Sequence, residues 1–222
     1  MTGTRPSLFL ACATTAIAGY IDAVGFVHLS GLYLSFMTGN TTRLGVLISQ
    51  AHWDAVAFCL AVIGSFVAGS ALGTLLADRV TGDPVAPVLT AEASLVGVGL
   101  AFSLFGDRPF ILLPLVVAMG MQNVLHRTVS GADAGRTFVT GTLFSLGQSL
   151  ADLASGKGRL LESGILLASW VAFVAGALFG GLVVTRLHLP QTLAVALAMI
   201  GLMAVWARSR SAVTGQGATS RS

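Results

Sequence analysis

Two polar clusters interrupt apolar segments of this 222-residue chain, and they contain the residue types best suited to binding a solute. Asp22 lies inside an apolar run near the N-terminus, and Thr38-Gly39-Asn40-Thr41 and Arg43 lie inside the next one. Carboxylate, guanidinium, amide and hydroxyl groups bind small polar solutes through ion pairs and hydrogen bonds. In a bilayer such groups face the protein interior or a wet cavity. They are therefore the first candidate binding site.

A second, weaker cluster follows about a hundred residues later. Asn123 takes the position of Asp22 in a Gly-x-x-Asp/Asn motif, and Thr140-Gly141-Thr142 corresponds to the Thr-Gly-Asn-Thr motif. Glycine permits unusual backbone angles, and Asn and Thr side chains compete for backbone hydrogen bonds, so both clusters favour an interrupted helix. Transporters build binding sites from such helices at matching places in two halves. The alternative is helix packing through small polar residues.

The charged residues of the first cluster are predicted to pair. An isolated charge at depth is costly, and Arg43 is the obvious partner for Asp22. The pair has two interpretations. It is either a structural link between neighbouring helices or a site where the carboxylate binds a substrate or a proton.

The composition places both clusters in a membrane. Hydrophobic residues make up 55% of the chain and charged residues only 9%, against roughly a quarter charged in soluble domains. The net charge of +3 is small and scattered, which argues against nucleic acid as a partner. The sequence contains no nucleophile elbow, phosphate-binding loop or metal-ligand spacing. We therefore predict no enzymatic activity, no cofactor and no metal.

Hydropathy predicts the helical segments. Six runs approach the roughly 20 apolar residues that cross a bilayer, namely Leu8–Val27, Ala55–Ala77, Pro87–Phe105, Phe110–Leu125, Ser163–Val184 and Thr192–Ala207. Two further runs, Tyr33–Ala51 and Thr137–Ala154, contain the polar clusters. The expected fold is an all-α polytopic membrane protein of about eight helical segments, six strongly apolar and two polar and broken. Residues 1–208 form one transmembrane domain, and the Gly/Ser-rich residues 209–222 form a disordered cytoplasmic tail.

The chain also matches itself. The sequence Phe-Val-Ala-Gly at 66–69 recurs at 173–176, and both matches continue to an arginine that closes the helix. Residues of about 8–106 and 109–207 are therefore predicted to be tandem repeats. If both polar runs span the membrane, there are eight spans in parallel halves; if neither spans, there are six in inverted halves. The distribution of Lys and Arg favours six, whereas the clarity of the match favours eight, which is the arrangement we expect.

Three smaller features complete the prediction. The pairs Gly69-x-x-x-Gly73 and Gly176-x-x-x-Gly180 permit close helix crossing and are either a packing seam or the face of a homo-oligomer. Glu92, early in its run, is expected to extend to the interface. Arg208 and Arg210 after the last span place both termini in the cytoplasm.

The motifs resemble one family. Gly19-Tyr20-Ile21-Asp22-Ala23, Phe36-Met37-Thr38-Gly39-Asn40-Thr41 and the later Phe138-Val139-Thr140-Gly141 are similar to the YoaK family, also called DUF1275. The resemblance runs from Gly19 to about Arg208. It implies a multi-pass protein of the bacterial inner (plasma) membrane with about six spans, and it implies no established activity. Arg43 departs from the apolar residue that the family pattern leads us to expect.

The leading functional interpretation is a secondary transporter of an unidentified small solute, with a polar site between the two repeats and membrane lipid around it. Asp22 would be the coupling or substrate-pairing group, and Thr38–Thr41 and Thr140–Thr142 would line the path. We also expect a helix break at Gly39-Asn40 and a cavity that reaches this break. The alternative is a non-transporting scaffold assembled through the glycine-rich faces.

Overall fold

All regular structure in the described part of the chain is helical. The computed structural model describes residues 4–106, 108–130 and 139–219. Its α-helices are α1 (Thr4–His28), α2 (Met37–Ser49), α3 (Trp53–Arg79), α4 (Val85–Ser103), α5 (Leu113–Ser130), α6 (Val139–Ala154), α7 (Leu160–Val184) and α8 (Leu189–Thr219), and a 3₁₀ turn at Pro109–Leu112 precedes α5. The all-α class and the eight helical segments are confirmed. Residues 137–138 of the second polar run, and 220–222 of the tail, lie outside the described ranges.

Helix length separates spanning from non-spanning segments. Among the described residues, α1, α3, α4, α7 and α8 are long and apolar enough to cross a membrane, and the apolar helix Pro109–Leu125 is shorter. The apolar windows of α3 and α7 are only 22% and 17% buried, which leaves much of their surface available to lipid. α2 has 13 residues, or about 20 Å of helix, against a hydrocarbon core of about 30 Å. It therefore does not span alone.

The helices α1 and α7 cross with their backbones in close contact. A Cβ atom added at Gly176 would meet the backbone of Ala16, and one added at Gly180 would meet the backbone of Tyr20. Both contacts advance along the two helices together, so α1 and α7 run parallel. Only glycine permits this approach, because any side chain would push the two backbones apart.

A second crossing joins α3 and α5 in the same way. A Cβ atom at Gly69 would meet the backbone of Val117, and one at Gly73 would meet the backbone of Met121. These helices therefore also run parallel. Both glycine pairs pack against helices of the same chain. Of the two alternatives that the sequence left open, they therefore form the packing seam and not the face of a homo-oligomer.

The other helices alternate in direction. α8 is antiparallel to α1, because Phe9 near the start of α1 contacts Trp206 near the end of the apolar part of α8, Leu189–Arg210, with ring centroids 5.0 Å apart. α4 is antiparallel to α8, because Arg208 donates a hydrogen bond to the Thr90 hydroxyl at 3.0 Å. α5 returns alongside α4 after a short turn. Consequently α1, α4 and α7 run one way, and α3, α5 and α8 run the other.

This alternation contradicts the expected eight spans in parallel halves. The helices that the sequence match pairs, α1 with α5 and α3 with α7, run in opposite directions, as the six-span alternative requires. The expectation was wrong because Tyr33–Ala51 has the length of a span but is helical only from Met37.

At the other end of the chain, α8 continues to Thr219, past the predicted start of the disordered tail. No proline follows Pro190 to stop that helix.

The first prediction concerns the α1–α7 crossing. Gly176→Ala should lower the melting temperature of the detergent-solubilised protein, because the added methyl group overlaps the Ala16 backbone. Overpacking of this kind costs about 1–3 kcal/mol. Gly181→Ala is the matched control on the same helix, since a Cβ atom there meets nothing within 4 Å. Equal melting temperatures for the two variants would contradict the crossing.

Candidate functional site

Asp22 holds the segment that follows α1. Its Oδ1 accepts hydrogen bonds from the backbone N–H groups of Leu34 at 2.9 Å and Ser35 at 2.6 Å, and its Oδ2 accepts one from the Ser35 hydroxyl at 2.7 Å. Ser35 comes after the end of α1 at His28, yet it bonds to a residue well before that end. Residues 29–36 therefore turn back into the bundle beside α1, and we name them the re-entrant segment.

The reversal starts in a left-handed turn. Ser30 and Gly31 have φ angles of 52° and 88°. The N–H group of Gly31 donates to the carbonyl of Phe26 at 2.8 Å, which closes the last turn of α1. Glycine adopts this backbone conformation without steric cost. The turn lets the chain leave α1 and return toward Asp22 within a few residues.

Asn40 fixes the re-entrant segment from the other side. Its side chain is fully buried. Its Oδ1 accepts a hydrogen bond from the Tyr33 N–H at 2.9 Å, and its Nδ2 donates one to the Tyr33 carbonyl at 2.7 Å. The amide thus satisfies both backbone polar groups of a residue that has no helical partner, which is necessary away from water. Asp22 and Asn40 both support the segment.

The interruption of the helix lies before Met37 rather than at the predicted Gly39-Asn40. α2 runs without a break from Met37 through Thr41. Gly39 faces the rings of Tyr33 and Phe36 at the start of the helix. The carboxylate of Asp22 lies at the residues that lead into α2, where negative charge interacts favourably with the helix dipole.

The predicted Asp22–Arg43 pair is wrong. Asp22 is bonded to Leu34 and Ser35, whereas the Arg43 guanidinium lies beside Gly31 at the end of α1. A positive charge is favourable near the C-terminus of a helix. Arg43 therefore belongs to the turn and not to a buried ion pair.

Three predicted site residues point away from the bundle interior. Thr38, Thr41 and Thr140 are exposed on the helix surface. The Thr41 hydroxyl donates to the carbonyl of Met37 at 2.8 Å, within its own helix. Gly141 is partly buried and has no side chain to offer. The polar path that the sequence predicts along Thr38–Thr41 is therefore not formed by these side chains.

A polar cavity lies where α1, the re-entrant segment, α5, α6 and α7 meet. Its volume is about 60 Å³, which holds a few water molecules or a very small solute. Its polar lining consists of Thr15, Ser35, Gln122, Asn123, Thr142 and Ser169, and Trp170 and Phe173 contribute aromatic surface. The structure brings Asn123 and Thr142, both predicted from the sequence, to one site.

Two amide side chains on α5 face this region. Asn123 Nδ2 donates to the carbonyl of Met119 at 3.0 Å, and Gln122 Nε2 donates to the carbonyl of Thr14 at 3.5 Å. None of the side chains that the structure describes donates to Asn123 Oδ1, so this oxygen can accept a hydrogen bond from a solute. Ser35 connects the cavity to Asp22, because its hydroxyl donates to that carboxylate while its side chain forms part of the wall.

Sequence reasoning missed Ser35, Gln122 and Ser169. Gln122 precedes Asn123, and two consecutive amides in an apolar run are a signal that could have identified it. Ser169 lies among other small residues of α7 and has no such signal.

The prediction for Glu92 was wrong, since Glu92 is fully buried and does not extend to the interface. α4 begins with the buried residues Val85 and Ala86, so the start of this helix is itself inside the bundle.

These features define a polytopic helical membrane protein with a re-entrant segment and a partly open polar cavity between its helices. A family model described as "Protein of unknown function (DUF1275)" matches residues 10–206. The chain belongs to the DUF1275 family, as its motifs predict.

Two relatives are informative. The chain is 34% identical over 177 residues to the UPF0700 transmembrane protein RA0705 of Rhizobium meliloti (strain 1021), covering 80% of this chain and 76% of that one. It is 28% identical over 148 residues to the UPF0700 transmembrane protein YoaK of Bacillus subtilis (strain 168), covering 63% and 64%. No solved structure matches the chain. The relatives are transmembrane proteins, in agreement with the composition and the apolar helices.

The second prediction concerns Asp22. Asp22→Asn should lower the melting temperature, because the amide replaces one acceptor oxygen with a donor that faces the N–H or O–H groups of the re-entrant segment. Hydrogen bonds to charged groups contribute about 1.5–3 kcal/mol each, so we expect a loss of a few kcal/mol. Thr41→Val is the control, since its hydroxyl is exposed and bonds only within α2. A melting temperature for Asp22→Asn as high as that of the control would contradict this role.

Proposed function

We propose that this protein is a secondary transporter of a small, polar, uncharged solute, which binds in the cavity between α1, the re-entrant segment, α5, α6 and α7. The observation that carries the proposal is a partly open polar cavity between apolar helices, with hydroxyl and amide groups and no charged side chain in its described lining. Polar groups at membrane depth are costly unless they are hydrogen-bonded. A solute with donors and acceptors satisfies them.

The arrangement of the helices supports transport. Six apolar helices of alternating direction, with two short polar helices, resemble transporters in which one half rocks against the other around a central site. The tandem repeat stays a prediction. It gains support from the two glycine crossings, because Gly120 approaches Phe66 as Gly19 approaches Phe173. Each crossing joins one predicted half to the other, so relative movement of the halves would act on both.

The alternative, a scaffold assembled through glycine-rich faces, has weaker support. Gly69 and Gly176 already contact backbone of the same chain. A homo-oligomer would have to use other surfaces, such as the exposed apolar faces of α3 and α7. Those faces are equally suited to lipid, so they do not favour a scaffold.

We also propose that both termini lie in the cytoplasm of a bacterial cell, with the protein in the inner membrane. The start of α1 and the end of the apolar part of α8 lie at the same end of the bundle, where Phe9 contacts Trp206. Arg208 and Arg210 follow the last apolar run, which ends at Ala207. Lys and Arg accumulate on the cytoplasmic side of membrane proteins, which supports this orientation.

The third prediction tests the binding site with a thermal-shift screen of small, uncharged, polar solutes. A solute that binds the folded state raises the melting temperature. Thr142→Val should weaken that response, because it removes a hydroxyl group from the cavity wall. The loss of one neutral hydrogen bond of about 1 kcal/mol corresponds to roughly a fivefold weaker Kd. Asn123→Ala should also weaken it.

Thr140→Val is the matched control for this experiment. It makes the same chemical change on the same helix, but at an exposed position outside the cavity. The solute should stabilise this variant as it stabilises the wild type, and it should be taken up by proteoliposomes that contain the wild-type protein. Equal loss of the response in both threonine variants would contradict the proposed site. Binding without uptake would contradict transport.

A further inference from the structure

Glu92 on α4 is a buried acid with no hydrogen-bond partner in the part of the chain that the structure describes. Its relative exposure is 0%. Across the described residues, neither Oε1 nor Oε2 has a hydrogen-bond partner. It differs in this respect from Asp22, whose two carboxylate oxygens accept three hydrogen bonds from the re-entrant segment. The chain therefore contains two buried acids in opposite environments.

The charged groups on the neighbouring helices leave Glu92 uncompensated. α8 carries Arg208, which donates to Thr90, and Arg210, which lies over the Trp206 ring at 5.0 Å. α3 has acidic and basic residues only at its ends, with Asp78 next to Arg79 near the turn to α4. The described side chains of α5, residues 113–125, include no charged group. None of these side chains donates a hydrogen bond to Glu92.

An ionised carboxylate in this position is unfavourable. Removing a charge from water without a counter-ion or hydrogen bonds costs several kcal/mol. Protonation removes the charge and allows the carboxyl group to remain among apolar helices. The other way to relieve the cost is a movement that brings the carboxylate into contact with water.

We propose that Glu92 is a proton-binding site that couples this protein to the proton gradient. The carboxyl group holds its proton in the conformation of this structure, in which Glu92 is buried. In a second conformation its O–H bond breaks, the proton passes to water, and the carboxylate is hydrated. The coupling to solute rests on the proposed function: α5 packs against α4 and contributes Gln122 and Asn123 to the cavity, so a movement of α4 reaches the solute site through one helix.

The fourth prediction tests proton binding directly, without a solute. The infrared spectrum of the purified protein in lipid at neutral pH should contain the carbonyl stretch of a protonated carboxyl group. Glu92→Gln should lose that band. Glu162→Gln is the control, since Glu162 is exposed at the start of α7, and it should keep the band. The absence of the band from the wild type, as for a carboxylate bound to a metal cation, would overturn the proposal.

Melting temperature provides a second readout. If folding holds a proton that the unfolded chain releases, stability is present at low pH and is lost as pH rises. The wild-type melting temperature should then fall by roughly 3 °C for each pH unit above about 4.3, where a glutamate of the unfolded chain ionises, for as long as folded Glu92 keeps its proton, and Glu92→Gln should show a smaller fall. An identical pH dependence in both proteins would contradict proton binding at Glu92. If Glu92 binds a proton but Thr142→Val leaves the stabilisation by solute unchanged, proton binding at Glu92 stands, whereas the proposed solute site and its coupling to the proton are refuted.

Discussion

The hydrogen bonds between the Asp22 carboxylate and the backbone of Leu34 and Ser35 hold a non-helical segment inside an apolar bundle. Backbone groups without helical partners are tolerated at membrane depth only where protein or water satisfies them. Asp22 satisfies two N–H groups and a hydroxyl, and Asn40 satisfies both backbone groups of Tyr33. Without these contacts the chain after α1 would have no reason to turn inward. Ser35 would then leave the cavity wall, and α2 would lose its starting point.

The rest of the bundle provides the space for this segment. Two parallel glycine crossings, α1 with α7 and α3 with α5, bring backbones into direct contact and leave apolar side chains facing outward. The cavity forms beside the first crossing, where α5 and α6 meet the re-entrant segment. The carboxyl group of Asp22 is well hydrogen-bonded and structural, while Glu92 on α4 is buried and has no hydrogen-bond partner among the described residues. Because their environments differ, we assign Asp22 the role of holding the re-entrant segment and Glu92 the role of binding a proton.

Much of this organisation could be predicted from the sequence, and the failures have physical causes. Hydropathy identifies the apolar helices, and the Gly-x-x-x-Gly pairs identify the seams, because both signals depend on local composition. Asn123 and Thr142 could be predicted from their match to the first cluster. The partner of Asp22 could not, because Arg43, the first arginine or lysine after Asp22 in the sequence, competes with backbone N–H groups that only the folded chain brings close. The site of the helix break was misplaced because the Asn40 side chain bonds backward to Tyr33 from within a continuous helix.

The central claim is that residues 29–36 lie inside the bundle and are held by Asp22, and hydrogen–deuterium exchange of the protein in lipid nanodiscs tests it most directly. The backbone amides of Leu34 and Ser35 are predicted to exchange slowly, at rates close to those of α1, since buried hydrogen-bonded amides exchange only when the structure opens. In Asp22→Asn they should exchange much faster, while the amides of α7 stay unchanged. Rapid exchange at Leu34 and Ser35 in the wild-type protein, as in a surface loop, would contradict the account.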